Sequence, residues 1–189
     1  IWITKYDYAL NEIVKQTKRI PVLINYTVTK KTKQKRYEKT PDQYDLDLIK
    51  KIDEMKIKDW YPHNRMPKGD ESRRNDAKGE KWGDTWRKGV HAGITHVHHF
   101  YTKRTILILS KVYKKIQERK NPRLLFWFTS TFFWISKINA LHIQNYFHGG
   151  GGVVASPRGR LYIGSLPAET NPIERLSLRI SSSVYEFPN

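Results

Sequence analysis

Between Gly93 and Arg104 the chain reads Gly-Ile-Thr-His-Val-His-His-Phe-Tyr-Thr-Lys-Arg, which places His96, His98 and His99 within four positions. Imidazole is the side chain that exchanges a proton nearest neutral pH, and it is a common metal ligand. The run reads as β-like, so His96 and His98 share one face and His99 takes the other. Two imidazoles on one face could hold a metal if His91, His142 or a carboxylate supplied a third ligand. They could form a nuclease-like cluster, or touch a phosphate or base directly. The plainest role is structural: rings hydrogen-bonded where a strand meets a helix. No Asp or Glu lies between Asp84 and Glu118, and the spacing fits no zinc pattern. No metal ligand is therefore assigned, and His98 is kept as a candidate DNA contact.

Thr102 then opens an amphipathic helix marked by Ile106, Leu109, Val112, Tyr113 and Ile116. Its first turn carries Lys103 and Arg104, cations at the end of a helix dipole that favours anions. A phosphate at that end would gain backbone N–H donors and both cations.

The polyanion that such cations suggest is nucleic acid. The chain of 189 residues carries a net charge of +17, well beyond what solubility requires. Residues 1–120 hold 29 Lys and Arg against 15 Asp and Glu, so the first two thirds build the basic face. Aromatic residues make up 13%, too many for a disordered basic tail. An anionic membrane is the second polyanion to consider, and no stretch is apolar enough to span one. There is no cysteine, which removes disulfides and thiolate zinc sites and fits a reducing cytoplasm. The first residues lack the basic and apolar regions of a signal peptide. The abrupt start at Ile1-Trp2-Ile3 and the end at Phe187-Pro188-Asn189 suggest a fragment of a longer protein.

The elements that must position these groups follow from patterning. Ile20 to Val28 reads as a strand. Lys30, Lys31, Lys33, Lys35, Arg36 and Lys39 follow, giving a hairpin over 20–39 with a basic tip. Thr40 is expected to cap a helix with Pro41 at its first position, with Tyr44, Leu48, Ile49, Ile52 and Met55 at helical spacing. Residues 59–92 form a long loop containing Gly69, Gly79, Gly83 and Gly89, with Trp60, Trp82 and Trp86. Arg73 and Arg74 are candidate phosphate contacts there. Rings next to cations, as at Trp60 to Arg65 and Trp82 to Lys88, could stack on unpaired bases or simply pin the loop. Residues 124–138 read as one central buried helix. Val153-Val154-Ala155 and Arg160 to Ile163 read as a hairpin, so 93–165 forms the core.

Phe147-His148-Gly149-Gly150-Gly151 matches the Phe-x-Gly-x-Gly pattern of S-adenosylmethionine loops. The expected order is strand, glycine turn, helix. Here a helix precedes and a Val-Val strand follows, so a hinge is the better reading, and cofactor-binding residues are left unknown.

The order of blocks is nevertheless informative. Trp60-Tyr61-Pro62, Met66-Pro67-Lys68-Gly69-Asp70, Trp82-Gly83-Asp84, Gly93 to Arg104, Gly149 to Val154 and Leu161-Tyr162-Ile163 follow one another. Across residues 20–165 this resembles the central region of the large prokaryotic adenine-specific DNA methylases that act on an exocyclic amine. The resemblance implies a DNA-binding segment of a restriction-modification enzyme. The parent would use S-adenosylmethionine to methylate a flipped base. The chain has no Asp-Pro-Pro-Tyr, Asn-Pro-Pro-Tyr or Asp-Pro-Pro-Phe, so no catalytic residue carries over. Residues 27–35 form a cysteine-free basic hairpin where many relatives have a zinc ribbon.

The expectation is an α+β chain, residues 1–189 forming a single domain or fragment, with a small mixed sheet and two or three packed helices. It would be an insert into, or part of, a Rossmann-like methyltransferase domain. Its partners would be DNA and the remainder of a longer methylase. Lys30, Lys31, Lys33, Lys35, Arg36, Arg73, Arg74, His98, Lys103 and Arg104 are the candidate DNA contacts. The alternatives are a stand-alone basic nucleic-acid-binding protein, a His-cluster nuclease-like protein, or a ribonucleoprotein component.

Overall fold

Two hairpins lead the chain. In this computed structural model, which describes residues 1–30, 33–66, 93–155, 163–164 and 166–186, β1 (Trp2–Asp7) pairs antiparallel with β2 (Glu12–Thr17). The turn between them is set by Asp7, whose Oδ1 accepts from the Ala9 and Leu10 amides, and by Asn11 in the left-handed region at φ 56°. Asn and Asp tolerate or build such turns through their short polar side chains. β3 (Ile24–Lys30) pairs antiparallel with β4 (Lys33–Lys39). The chain is α+β. This matches the small mixed fold expected from the sequence, its strands forming separate antiparallel two-stranded ladders.

α1 (Gln43–Glu54) starts two residues later than expected. Asp42 caps it in a reciprocal box with Asp45, each side chain accepting from the other's amide at 3.0 Å. The acidic pair outcompetes Thr40, and Lys39 reinforces it by binding both carboxylates. No residue of α1 is buried, so its apolar stripe exists but faces no core.

The core is built by helices. A 3₁₀ turn over Val97–Phe100 leads to α2 (Lys103–Arg119). Thr102 caps α2 by accepting from the Thr105 amide, and Lys120 ends it in the left-handed conformation. α3 (Pro122–Thr129) and a second 3₁₀ turn (Phe132–Ile135) follow. Then come β5 (Ala140–Leu141), α4 (Ile143–His148), β6 (Val154–Ala155) and α5 (Pro172–Glu186). Leu109, Ile116, Phe128, Ile135 and Leu176 form one buried cluster. Ile94, Phe100, Ile138 and Ile163 form a second, and Tyr101 packs against both. Burial pushes the Tyr101 hydroxyl up to about 12.

Two expectations are corrected here, and a third falls partly outside the described residues. The stretch 124–138 is not one buried helix. Thr129, Ser130, Thr131 and Ser136 each turn a hydroxyl back onto a carbonyl three residues earlier, and such bonds compete with continuing the helix. Phe128 is 2% exposed while Phe126, on the other side of α3, is 66% exposed. Next, Val154-Ala155 pairs with Ala140-Leu141, because the Gly149 to Gly152 run reverses the chain onto the preceding segment. Residues 160–162, the expected partner, lie outside the described residues. Last, the histidine block is not a strand. Only His96 makes a bridge, to Arg65, and the chain then tightens into the 3₁₀ turn.

α5 was not anticipated from the sequence. Asn171 caps it by accepting from the Ile173 and Glu174 amides, with Pro172 at its first position, the pairing favoured at helix starts. The indole N–H of Trp127 donates to the Leu176 carbonyl and ties α5 to α3. Among the described residues no helix is long and apolar enough to cross a membrane.

Candidate functional site

The histidines converge on a residue from the far end of the chain. Asp7, the last residue of β1, is buried, and its Oδ2 accepts from Nε2 of His98 and from Nε2 of His99, each at 2.8 Å. The 3₁₀ turn makes this possible. It places consecutive rings on one side with centroids 4.3 Å apart, which strand alternation forbids. The His96 and His98 rings stay close, at 5.8 Å, but His99, expected on the other face, joins them at 5.3 and 4.3 Å. His96 meets the Thr95 hydroxyl through Nδ1 at 2.9 Å.

The hydrogen-bond pattern fixes the proton on His99. The Thr95 backbone N–H donates to His99 Nδ1 at 3.2 Å, so Nδ1 is an acceptor and Nε2 carries the hydrogen. Burial would push the Asp7 carboxyl up, but the bonds from His98 and His99 outweigh it and hold the group well below the usual carboxylate range. Burial lowers His99, against the opposing pull of its bond to Asp7. The result is a carboxylate gripped by imidazole N–H donors.

Asp7, His98 and His99 also have the residue types of a metal site, and their ligand atoms lie within 4.8 Å of one another. The donor set does not fit a metal as it stands. Ligation needs a neutral imidazole with a free nitrogen lone pair. His99 Nε2 would have to lose its hydrogen while Nδ1 still accepts from Thr95. The group acts as a clamp that locks the β1–β2 turn onto the 3₁₀ turn. Gly93 makes room for it: at φ +72°, a Cβ there would lie 2.2 Å from the Lys15 carbonyl oxygen and 2.7 Å from the Gln16 Cα. Lys137 adds a further tie, donating its ammonium to the His99 carbonyl at 2.8 Å. Burial pushes its pKa down to about 7.

The start of α2 holds an anion from within the chain. Glu169 Oε1 accepts from the Thr102 hydroxyl at 2.6 Å and from Arg104 Nε at 3.2 Å. Arg104 Nη2 lies 3.1 Å from the same oxygen. Lys103 is half-buried with its ammonium 5.1 Å from the centre of the Tyr8 ring. Burial lowers its pKa, against the attraction of Asp7. Both cations of this turn thus have partners inside the molecule, and His98 is enclosed by the clamp.

The hairpin cations are placed differently. No residue of β3 or β4 is buried. The register puts Tyr26 opposite Tyr37, Val28 opposite Lys35 and Lys30 opposite Lys33, so these six side chains share one face. The two tyrosine rings stack at 5.6 Å, and the Lys35 ammonium sits 5.1 Å from the Tyr37 ring centre. Arg36 lies opposite Thr27 on the reverse face. Lys31, Arg73 and Arg74 lie outside the described residues. The basic group is therefore a face of a ribbon, with three lysines flanking a tyrosine stack.

No protein-family model, curated protein or solved structure matches the chain. Asp7, Glu169 and Lys137 escape a reading confined to neighbouring positions, since their partners are 91, 65 and 38 residues distant. The one local signal was Asp7 itself, an acid at the end of a strand-like run and just before a turn.

Proposed function

We propose that this chain is a DNA-contacting segment of an S-adenosylmethionine-dependent adenine methyltransferase, and that the β3–β4 ribbon meets the duplex. The observation that carries this reading is the ribbon face. Lys30, Lys33 and Lys35 are exposed together on it, and an exposed two-stranded ribbon fits a major groove about 12 Å wide. Lysines on such a ribbon would neutralise phosphates and release counterions, a sequence-independent source of affinity. The methylase assignment rests on the resemblance of the blocks from Trp60-Tyr61-Pro62 to Leu161-Tyr162-Ile163. In that reading methyl transfer and cofactor binding belong to the remainder of a longer cytoplasmic enzyme. The clamp and the α2 start serve to hold the segment in shape.

The nuclease-like alternative has less support. His98 and His99 are buried, and His99 Nε2 is occupied by its own hydrogen. Fluorescence anisotropy with a labelled duplex tests the ribbon: the triple variant Lys30→Ala/Lys33→Ala/Lys35→Ala should bind markedly more weakly than wild type at the same melting temperature. Equal binding would contradict the assignment. Reading the open frame around this chain tests the affiliation. Asp-Pro-Pro-Tyr or Asp-Pro-Pro-Phe encoded just downstream is expected, and its lack on both flanks would contradict the methylase parent.

A further inference from the structure

The first hairpin has an outward face with no assigned role. Even-numbered residues of β1 point away from the side that carries Asp7. The register sets Trp2 opposite Thr17, Thr4 opposite Lys15 and Tyr6 opposite Ile13. Trp2 is 45%, Tyr6 48% and Ile13 74% exposed. Tyr8 continues the row past the strand end, its ring edge-on to Tyr6 at 5.0 Å. A cation stands at each end. Lys15 lies 5.6 Å from the Trp2 ring centre, and Lys103 lies 5.1 Å from that of Tyr8. The acidic residues of the two strands, Asp7 and Glu12, face each other on the opposite side. The outward face of the ladder therefore sets exposed flat rings beside Lys15 and carries neither of the strands' carboxylates.

The geometry points to a platform for single-stranded nucleic acid, with unpaired bases stacked on Trp2 and Tyr6 and a phosphate drawn to Lys15. Stacking on aromatic rings tolerates any base because every base has a π-face. The rings of Trp2 and Tyr6 are four residues apart on one strand, roughly 14 Å at strand rise, so each takes its own base. The charge on this face selects a polyanion over a neutral protein surface. This surface is separate from the β3–β4 ribbon. It rests on the nucleic-acid reading above and adds the kind of strand that is held.

The test uses the whole chain and two labelled probes, a short oligothymidine and a duplex of equal length. Trp2→Ala and Tyr6→Ala should each weaken oligothymidine binding by roughly five- to a hundredfold, the range for loss of one stacked base, and leave duplex binding intact. Trp2→Phe and Tyr6→Phe keep a ring and should retain binding. The Tyr6→Phe variant also removes the hydroxyl bond to Asn11, so it separates stacking from support of the turn. Wild type that binds duplex but not oligothymidine overturns this inference and leaves the ribbon reading standing. Alanine variants that bind oligothymidine as wild type does also overturn it. So does loss of both probes together with a lower melting temperature, or a Trp2-dependent dimer in sedimentation. Wild type that binds neither probe defeats the nucleic-acid reading as a whole.

Discussion

Asp7 and His99 stand 92 positions apart in the chain and share a 2.8 Å hydrogen bond. Removing the carboxylate leaves buried N–H donors on His98 and His99 without an acceptor. Asp7→Ala should therefore destabilise the protein by about 2–5 kcal/mol, read as a lower urea midpoint. The pH dependence has a definite sign. His99 sits below its ordinary value of 6.5, so the unfolded chain takes up its proton first and stability falls as pH drops below that value. Asp7 sits below its ordinary value of 3.8, so its contribution is present above that pH and is lost on further acidification. Asp7→Asn should remove the lower stage and keep the upper one. An unchanged acid profile in that variant would contradict the clamp.

Much of the helical frame was legible because it is local. Thr102, Ile106, Leu109 and Ile116 announce α2 by capping and period. The hairpin over 20–39 follows from β-branched and aromatic residues ending in a lysine run. The histidine geometry was not legible, since strand and 3₁₀ backbones put His98 and His99 on different sides or on the same side, and the deciding partner, Asp7, is set by tertiary packing. The segment 124–138 misled for a related reason. Composition counts apolar residues, while four hydroxyls turned onto the backbone end the helix early.

A metal titration separates clamp from ligand set. With His99 Nε2 protonated by virtue of its Thr95 contact, equimolar zinc or manganese should leave the melting temperature unchanged. A rise that disappears in both Asp7→Ala and His99→Ala would contradict this tautomer and restore a metal role.

The two faces of α3 should respond unequally. Phe128→Ala opens a cavity in the main cluster and should cost roughly 3–5 kcal/mol. Phe126→Ala removes an exposed ring and should cost little in a monomer. Equal costs would mean that 124–138 is buried on both sides.

Arg104 and Glu169 form a partly exposed pair, and such pairs contribute below about 1 kcal/mol. Arg104→Ala should lower the melting temperature slightly and leave duplex affinity within about twofold, since its guanidinium already has an acceptor in the chain. A large loss of affinity at unchanged stability would place phosphate, and not Glu169, at the start of α2.

The most direct measurement is the salt dependence of duplex binding for wild type and for Lys30→Ala/Lys33→Ala/Lys35→Ala. Each phosphate contact contributes close to one unit to the slope of log affinity against log salt. The ribbon account predicts a steep wild-type slope that flattens by roughly two to three units in the triple variant, while Arg36→Ala, on the reverse face, changes it less. A triple variant with the wild-type slope would contradict the account and remove the β3–β4 face from the DNA interface.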